Sequence, residues 1–158
     1  MPGAIIATDV AFQNLTLCRS CRATNRIPAK HLADTGRCGS CKAPLGPADE
    51  PIEADSSNLL PIIQDARVPI FVDFWAPWCG PCLAAAPDVK LLAKEMAGRA
   101  LVLKVDTQAH PELAELYQIR SIPHFVVFRG GKQFTQSSGL APRSEMRLWL
   151  ERAGARMD

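Results

Sequence analysis

The sequence predicts an α/β protein, a mixed five-stranded sheet flanked by helices, with a small metal-stapled module in front of it. Three observations lead there. Apolar runs of strand length alternate with segments of helical period from Leu59 to Tyr117. Beyond them, two short runs flank Gly130-Gly131, a hairpin signal, and one amphipathic segment follows. Ahead of all this, Cys18, Cys21, Cys38 and Cys41 form two C-x2-C pairs in a stretch poor in large apolar side chains.

Residues 1–14 hold one apolar patch, Ala4 to Ala7, with no basic start and Asp9 close behind. They are expected to be a flexible tail and not a secretory signal. Residues 15–46 then read as a zinc ribbon. Sixteen residues separate the two cysteine pairs, a spacing at which two tight knuckles aim four thiolates at one tetrahedral ion. Leu17, Ile27, Leu32 and Leu45 are nearly all the large apolar side chains of this stretch, so a structural zinc ion supplies what a core cannot. Since protein fills all four positions, the ion has no open site for chemistry. Oxidation of these thiols with loss of zinc is a second reading.

Between Cys18 and Cys41 lie Arg19, Arg22, Arg26, Lys30 and Arg37 against the single acid Asp34. Four thiolates around one divalent ion are net negative, and these cations offset that charge. A nucleic-acid patch is the competing reading. The module has no aromatic side chain for base stacking, which favours charge compensation and protein contact.

Residues 47–158 are expected to be a linker followed by the main domain. Pro44, Gly46, Pro47 and Pro51 mark the linker, with a short strand near Ile52. Ser57 or Asn58 can cap a helix over Leu59 to Ala66, ahead of a strand over Pro69 to Trp75. A helix over Pro81 to Met96, a strand over Leu101 to Asp106 and a helix over Pro111 to Tyr117 follow. The hairpin pairs Phe125 to Phe128 with Gln133 to Ser137. The last helix, Pro142 to Ala153, carries Met146, Trp149, Leu150 and Ala153 on one face and stops at Gly154. Trp75 and Trp149 read as core, and Pro87 should kink its helix.

The chemistry sits at Trp78-Cys79-Gly80-Pro81-Cys82, between a strand and a helix. At a helix start, unpaired N–H groups and the helix dipole favour a thiolate by up to ~2 kcal/mol. Donation from the Cys82 N–H and S–H, three residues on, adds to this. Gly80 lets the backbone approach, and Pro81 suits a first turn whose N–H has no helical partner. Half of a metal site, or two buried core cysteines, is the bland alternative.

Two charges stand inside apolar strands. Asp73 interrupts Ile70 to Trp75, where burial should raise its pKa into the range of a usable base. Lys104 interrupts Val102 to Val105, and the two can pair across neighbouring strands. A purely structural buried pair is the alternative.

The chain has 158 residues, a formal charge of +2, 47% hydrophobic and 22% charged residues. This is too little charge to argue for nucleic acid or membrane surfaces, and no apolar run approaches the ~20 residues of a membrane span. Six cysteines in close pairs without a signal point to a reducing compartment, hence the cytoplasm.

From about Ile52 onwards, Val72-Asp73-Phe74-Trp75-Ala76-Pro77-Trp78-Cys79-Gly80-Pro81-Cys82, Pro87, Lys104, Ser121-Ile122-Pro123 and Gly139 resemble a thioredoxin. With the cysteine module in front, the whole chain is similar to the bacterial thioredoxin 2 group. The resemblance implies a thioredoxin fold and a monomeric protein-disulfide reductase acting on disulfide-containing proteins. It also implies recharging by NADPH-dependent thioredoxin reductase, with no nucleotide bound by this chain itself. Asp73, modulated by Lys104, then deprotonates Cys82 through water, and a cis Ile122-Pro123 bond places Pro123 against the sulfurs. Trp78, Gly80, Pro81, Ile122 and Gly139 form the substrate rim.

Three positions depart from the family pattern: His124 where a small hydroxyl residue is common, Leu83 where a basic one is frequent, and Ser138 where an apolar one is. His124 is either a pH-dependent influence on the thiols or a solvated strand-end residue. Two other functional classes stay open, a disulfide isomerase or oxidase, and a ribbon adaptor in which the larger domain is a passenger.

Overall fold

The computed structural model describes residues 13–156. Of the expected tail, residues 1–12 lie outside the described residues, and Gln13 and Asn14 already belong to the first strand. The elements are β1 (Gln13–Leu17), β2 (Thr24–Pro28), a 3-10 turn (Ala29–His31), β3 (Gly36–Arg37), β4 (Pro44–Leu45) and β5 (Ile52–Ala54). Then come α1 (Leu59–Asp65), β6 (Ile70–Trp75), α2 (Gly80–Glu95), β7 (Leu101–Asp106) and α3 (Pro111–Leu116). The chain closes with β8 (His124–Arg129), β9 (Lys132–Ser138) and α4 (Arg143–Arg152).

The main sheet has the order β5-β7-β6-β8-β9. β5, β7 and β6 run parallel, while β8 and β9 are antiparallel, joined at Gly130 and Gly131, whose φ values of 59° and 80° suit a two-residue hairpin turn. β6, in the middle, is buried on both faces, which is why its sequence is apolar without alternation. Ile70, Val72 and Phe74 face α1 and α3, against Leu59, Ile62, Ile63 and Leu113. Phe71 faces α2 and α4, stacked on Phe125 at 5.3 Å and on Trp149 at 6.5 Å between ring centroids.

Elements of the main domain fall within a residue or two of their expected bounds, with differences at the caps and at the tryptophans. Neither Ser57 nor Asn58 caps α1 with its side chain. Asp55 takes that place, its Oδ1 accepting the N–H groups of Ser57 and Asn58 at 2.8 and 3.1 Å. The Asn58 amide turns back, donating to the Glu53 carbonyl at 3.1 Å and accepting from the Asp55 N–H at 2.8 Å. Trp75 and Trp149 are half-buried, at the margins of the core.

The ribbon contributes two small sheets that its sequence did not announce, β1 with β2 and β3 with β4. Their residues are too polar and too few to show a period. What joins the ribbon to the domain is the short turn after β2: Ala29 and Leu32 are 5% and 2% exposed and pack into the same core as α1. The Leu32 carbonyl accepts the Ala48 N–H at 2.9 Å, tying the incoming linker to that turn.

Truncating a fully buried leucine costs about 2–5 kcal/mol. Leu32→Ala is therefore expected to lower the urea midpoint of the whole chain, read by tryptophan fluorescence, although the residue lies in the ribbon. An unchanged midpoint would mean that the ribbon rests on the domain without sharing its core.

Candidate active site and candidate metal centre

β6 delivers the dithiol. It ends at Trp75, whose carbonyl is held by the Thr107 N–H at 2.8 Å and the Thr107 hydroxyl at 2.9 Å. The chain then turns through Ala76, which accepts the Cys79 N–H at 3.1 Å, and enters α2. Cys79 stands one position earlier than a first-turn residue: it is the N-cap itself, with extended backbone at φ −90° and ψ 109°. Its sulfur accepts the Cys82 N–H at 3.2 Å, so sulfur does the work that an Asp or Ser oxygen does at an ordinary cap. Gly80 and Pro81 occupy the first helical positions, where no N–H has a helical partner. Cys79 and Cys82 are joined as a disulfide with Cα atoms 5.2 Å apart.

Both cysteines are nearly covered, Cys79 at 5% and Cys82 at 2% exposure. Ala76, Trp75 and Ile122 pack around them. The Cys79 sulfur lies 3.8 Å from the Ile122 carbonyl, the residue before the cis Ile122-Pro123 bond. Pro123 is buried, and its carbonyl accepts the Gly139 N–H at 2.8 Å. Gly139 has φ +92°, a conformation that suits glycine. The expected rim is therefore brought together: Trp78 is 71% exposed, Pro81 and Gly80 are exposed, and Ile122 and Gly139 are half-buried. Leu83 and Leu140, at 53% and 59% exposure, extend this apolar surface.

Asp73 lies on the α2 side of β6, 1% exposed, and neither carboxylate oxygen has a hydrogen-bond partner among the described residues. Burial pushes its pKa up to about 7, with Lys104 pulling the other way and Glu53 adding to the rise. The expected ion pair is not closed. Lys104 is in register beside Asp73, yet among the described residues the two form no salt bridge. Its ammonium instead sits 4.4 Å from the centroid of Trp75, over the ring, where the π face takes the cation.

Glu53 is the residue that the sequence reading missed. It is opposite Lys104 on β5, so that an acid, a base and an acid line up across three strands on one face. The pairing of β5 with β7 had to be known to see it.

The one hydrogen bond of the His124 ring among the described residues lies within the sheet. The ring Nε2 is 2.9 Å from Gln136 Oε1, on the strand beside it, as a strand-end residue would be. Ser138 is held by Ser121, oxygen to oxygen at 2.6 Å.

At the other centre, Cys18, Cys21, Cys38 and Cys41 bring their sulfurs within 4.8 Å of one another. Cys18 to Cys41 is 3.7 Å and Cys21 to Cys38 is 3.6 Å. Tetrahedral coordination at the usual zinc–sulfur length sets an edge of about 3.8 Å, so the four thiols fit such an ion. Each knuckle has the same backbone design. The Cys18 N–H bonds the Ala23 carbonyl and the Arg22 N–H the Cys18 carbonyl, at 2.8 and 2.9 Å; Cys38, Ala43 and Lys42 repeat this at 2.8 and 3.0 Å. Arg22 and Lys42 take φ 69° and 65° to close the two turns. Donation from the Cys41 N–H, the Asn25 amide and the Ser40 N–H lowers the Cys38 pKa, while burial and the neighbouring sulfurs push that of Cys21 up to about 11, so without an ion the cluster does not hold four thiolates together.

Known proteins agree with both halves. Residues 50–152 match the family model described as Thioredoxin, and residues 17–43 the one described as Thioredoxin 2, N-terminal. Thioredoxin C-3 of Corynebacterium nephridii is 36% identical over 137 residues, spanning 87% of this chain and 93% of its own length. Thioredoxin 1 of Nostoc sp. is 42% identical over 90 residues, 57% of this chain and 84% of its own. Of solved structures, a mutant thioredoxin from Halobacterium salinarum NRC-1 aligns with a TM-score of 0.64 at 29% identity, covering 70% of this chain and 96% of that one. A sulfur-capped helix after a central strand, a disulfide within one turn of it and four converging thiols in front thus coincide with these matches, and the chain belongs to the thioredoxin family of disulfide oxidoreductases.

Proposed function

We propose that this chain is a protein-disulfide reductase, recharged by NADPH-dependent thioredoxin reductase, working as a monomer in a reducing compartment such as the cytoplasm. The single observation that carries this reading is the Cys79 sulfur serving as the cap of α2 while bonded to a covered Cys82. In the reduced form, the Cys79 thiolate keeps the Cys82 N–H and the helix dipole as its stabilisers. It attacks a target disulfide, forming a mixed disulfide and releasing one target thiolate, which takes up a proton. Cys82 loses its proton towards Asp73 and attacks the Cys79 sulfur; the target leaves with its second thiol, and the chain holds the disulfide. Two electrons pass from the dithiol to the target. Keeping the second thiol three residues away makes the resolving step effectively unimolecular.

The apolar rim of Trp78, Pro81, Ile122 and Gly139 suits extended, flexible target segments, whose backbone can bond that of Ile122. Asp73 supports the base role because its carboxyl, unpaired and covered, titrates near the working pH instead of far below it. Lys104, withdrawn onto Trp75, moderates that pKa without neutralising the carboxylate.

In the ribbon we assign one structural zinc ion to Cys18, Cys21, Cys38 and Cys41. When bound, zinc supplies a cross-link that replaces a core. The residues themselves hold it as four thiolates, with the surrounding arginines and Lys30 offsetting their charge.

Cys79→Ser is expected to reduce insulin turnover to background, whereas Cys82→Ser should accumulate mixed disulfides with target proteins on gels run without reductant. Equal trapping by both variants would reverse the roles assigned. Asp73→Asn should slow turnover at pH 7 by about tenfold or more and remove the rise in rate through about pH 7. The same variant tests linkage. The folded carboxyl ionises near 7 and the unfolded one near 3.8, so the folded state holds an extra proton between them and wild-type stability falls as pH rises across that window. Asp73→Asn should therefore gain on wild type by up to about 4 kcal/mol between pH 4 and pH 8 in urea titrations. Metal analysis should return one zinc per chain. Its removal by a chelator should expose four thiols to alkylation and leave dithiol exchange at Cys79 in place, since the two centres share no residue.

A further inference from the structure

The two knuckles repeat one another in backbone, including the N–H donors that Cys18 takes from Ser20 and Cys21 and Cys38 from Ser40 and Cys41. The side chains around these sulfurs do not repeat. Asn25 lies seven residues after Cys18; the matching place after Cys38 is Leu45, 7% exposed and packed on Cys18 and Cys38. Leucine can donate nothing to a sulfur. Asn25, by contrast, makes three contacts from one half-buried side chain. Its Nδ2 donates to the Cys38 sulfur at 3.5 Å and to the Ala23 carbonyl of the first knuckle at 3.3 Å. Its Oδ1 accepts the Gly39 N–H of the second knuckle at 2.9 Å.

We propose that Asn25 is the positioning residue of the metal centre, a clasp between the knuckles that also orients the Cys38 sulfur towards the ion. This rests on the zinc reading given above. Its reasoning is geometric. The first knuckle enters through β1 and leaves through β2, the second sits between β3 and β4, and among the described residues no strand pairing joins one small sheet to the other. Something other than a ladder must set the separation of Cys18 and Cys21 from Cys38 and Cys41 before the ion arrives. Asn25, on β2, reaches the first knuckle by its own strand and the second by its amide. A partner of this kind commonly changes metal affinity by about 10–100-fold when removed. The Ser40 N–H, 3.4 Å from the same sulfur, belongs to the second knuckle alone and cannot link the two. Cys38 is covered and, among the described residues, is the one sulfur of the four that takes a side-chain N–H as well as backbone donors, while Cys21 and Cys41 are exposed.

The test uses the full chain, titrated with zinc against a chromophoric chelator and with cobalt(II) for its spectrum. Wild type must first bind one ion with four-sulfur absorption; failure there removes the zinc reading itself, before any variant is compared. Asn25→Ala is then expected to bind zinc at least tenfold more weakly. Asn25→Asp has the same shape and keeps the acceptor for the Gly39 N–H, but it cannot donate to sulfur, and it should also lose at least tenfold. In both variants at saturating metal, the sulfur-to-cobalt charge-transfer band should move to longer wavelength, because a thiolate without that donor gives up charge more readily. Wild-type affinity in either variant, or an unmoved band in both, overturns the proposal. Should Asn25→Ala fail to fold, Asn25→Leu, uncharged and matching the residue at this place in the second knuckle, decides in its stead by the same affinity and band readouts.

Discussion

One sulfur at the start of one helix carries most of what is distinctive in this molecule. α2 needs a group to receive the N–H of its third residue, and the chain supplies the Cys79 sulfur at 3.2 Å. A capping atom is held in place by the helix it caps, and a helix N-terminus favours negative charge on that atom. The same arrangement that ends the loop after β6 therefore sets this sulfur beside Ile122, at the edge of the exposed apolar rim. One contact thus serves both the local fold and the proposed chemistry.

That junction depends on β6 being clamped from both faces, and the clamp includes a charge. An apolar residue at position 73 would give a more stable strand, because burying an unpaired carboxyl raises its pKa to about 7 at the expense of the ionised form. Around it, Lys104 leans on the Trp75 ring instead of closing an ion pair, and Glu53 flanks Lys104 on the edge strand. The outcome is a carboxyl left free of strong partners in the layer beneath α2, which is what a base for the covered thiol needs on the proposed mechanism.

The ribbon solves a different physical problem. Its core of Cys18, Cys38 and Leu45 is too small to fold a segment of this length, so four convergent thiols take over that duty. Ala29 and Leu32 then insert into the core of the larger domain, which makes the ribbon a part of that core as well as an appendage to it.

The amino-acid pattern alone determined the two cysteine centres, the order of strands and helices in the larger domain, and the oddity of Asp73 and Lys104. These are matters of spacing, period and residue type, which a linear chain displays directly. Only the tertiary structure decided that Asp55 caps α1, that Lys104 prefers Trp75 to Asp73, that Glu53 shares their row, and that Asn25 reaches across to Cys38. Each of these depends on strand register or on a turn bringing distant side chains within a few ångströms. The small sheets of the ribbon were hidden for the same reason: strands of two to five mostly polar residues have no period of their own and exist because the knuckles and the docking of Leu32 hold their ends.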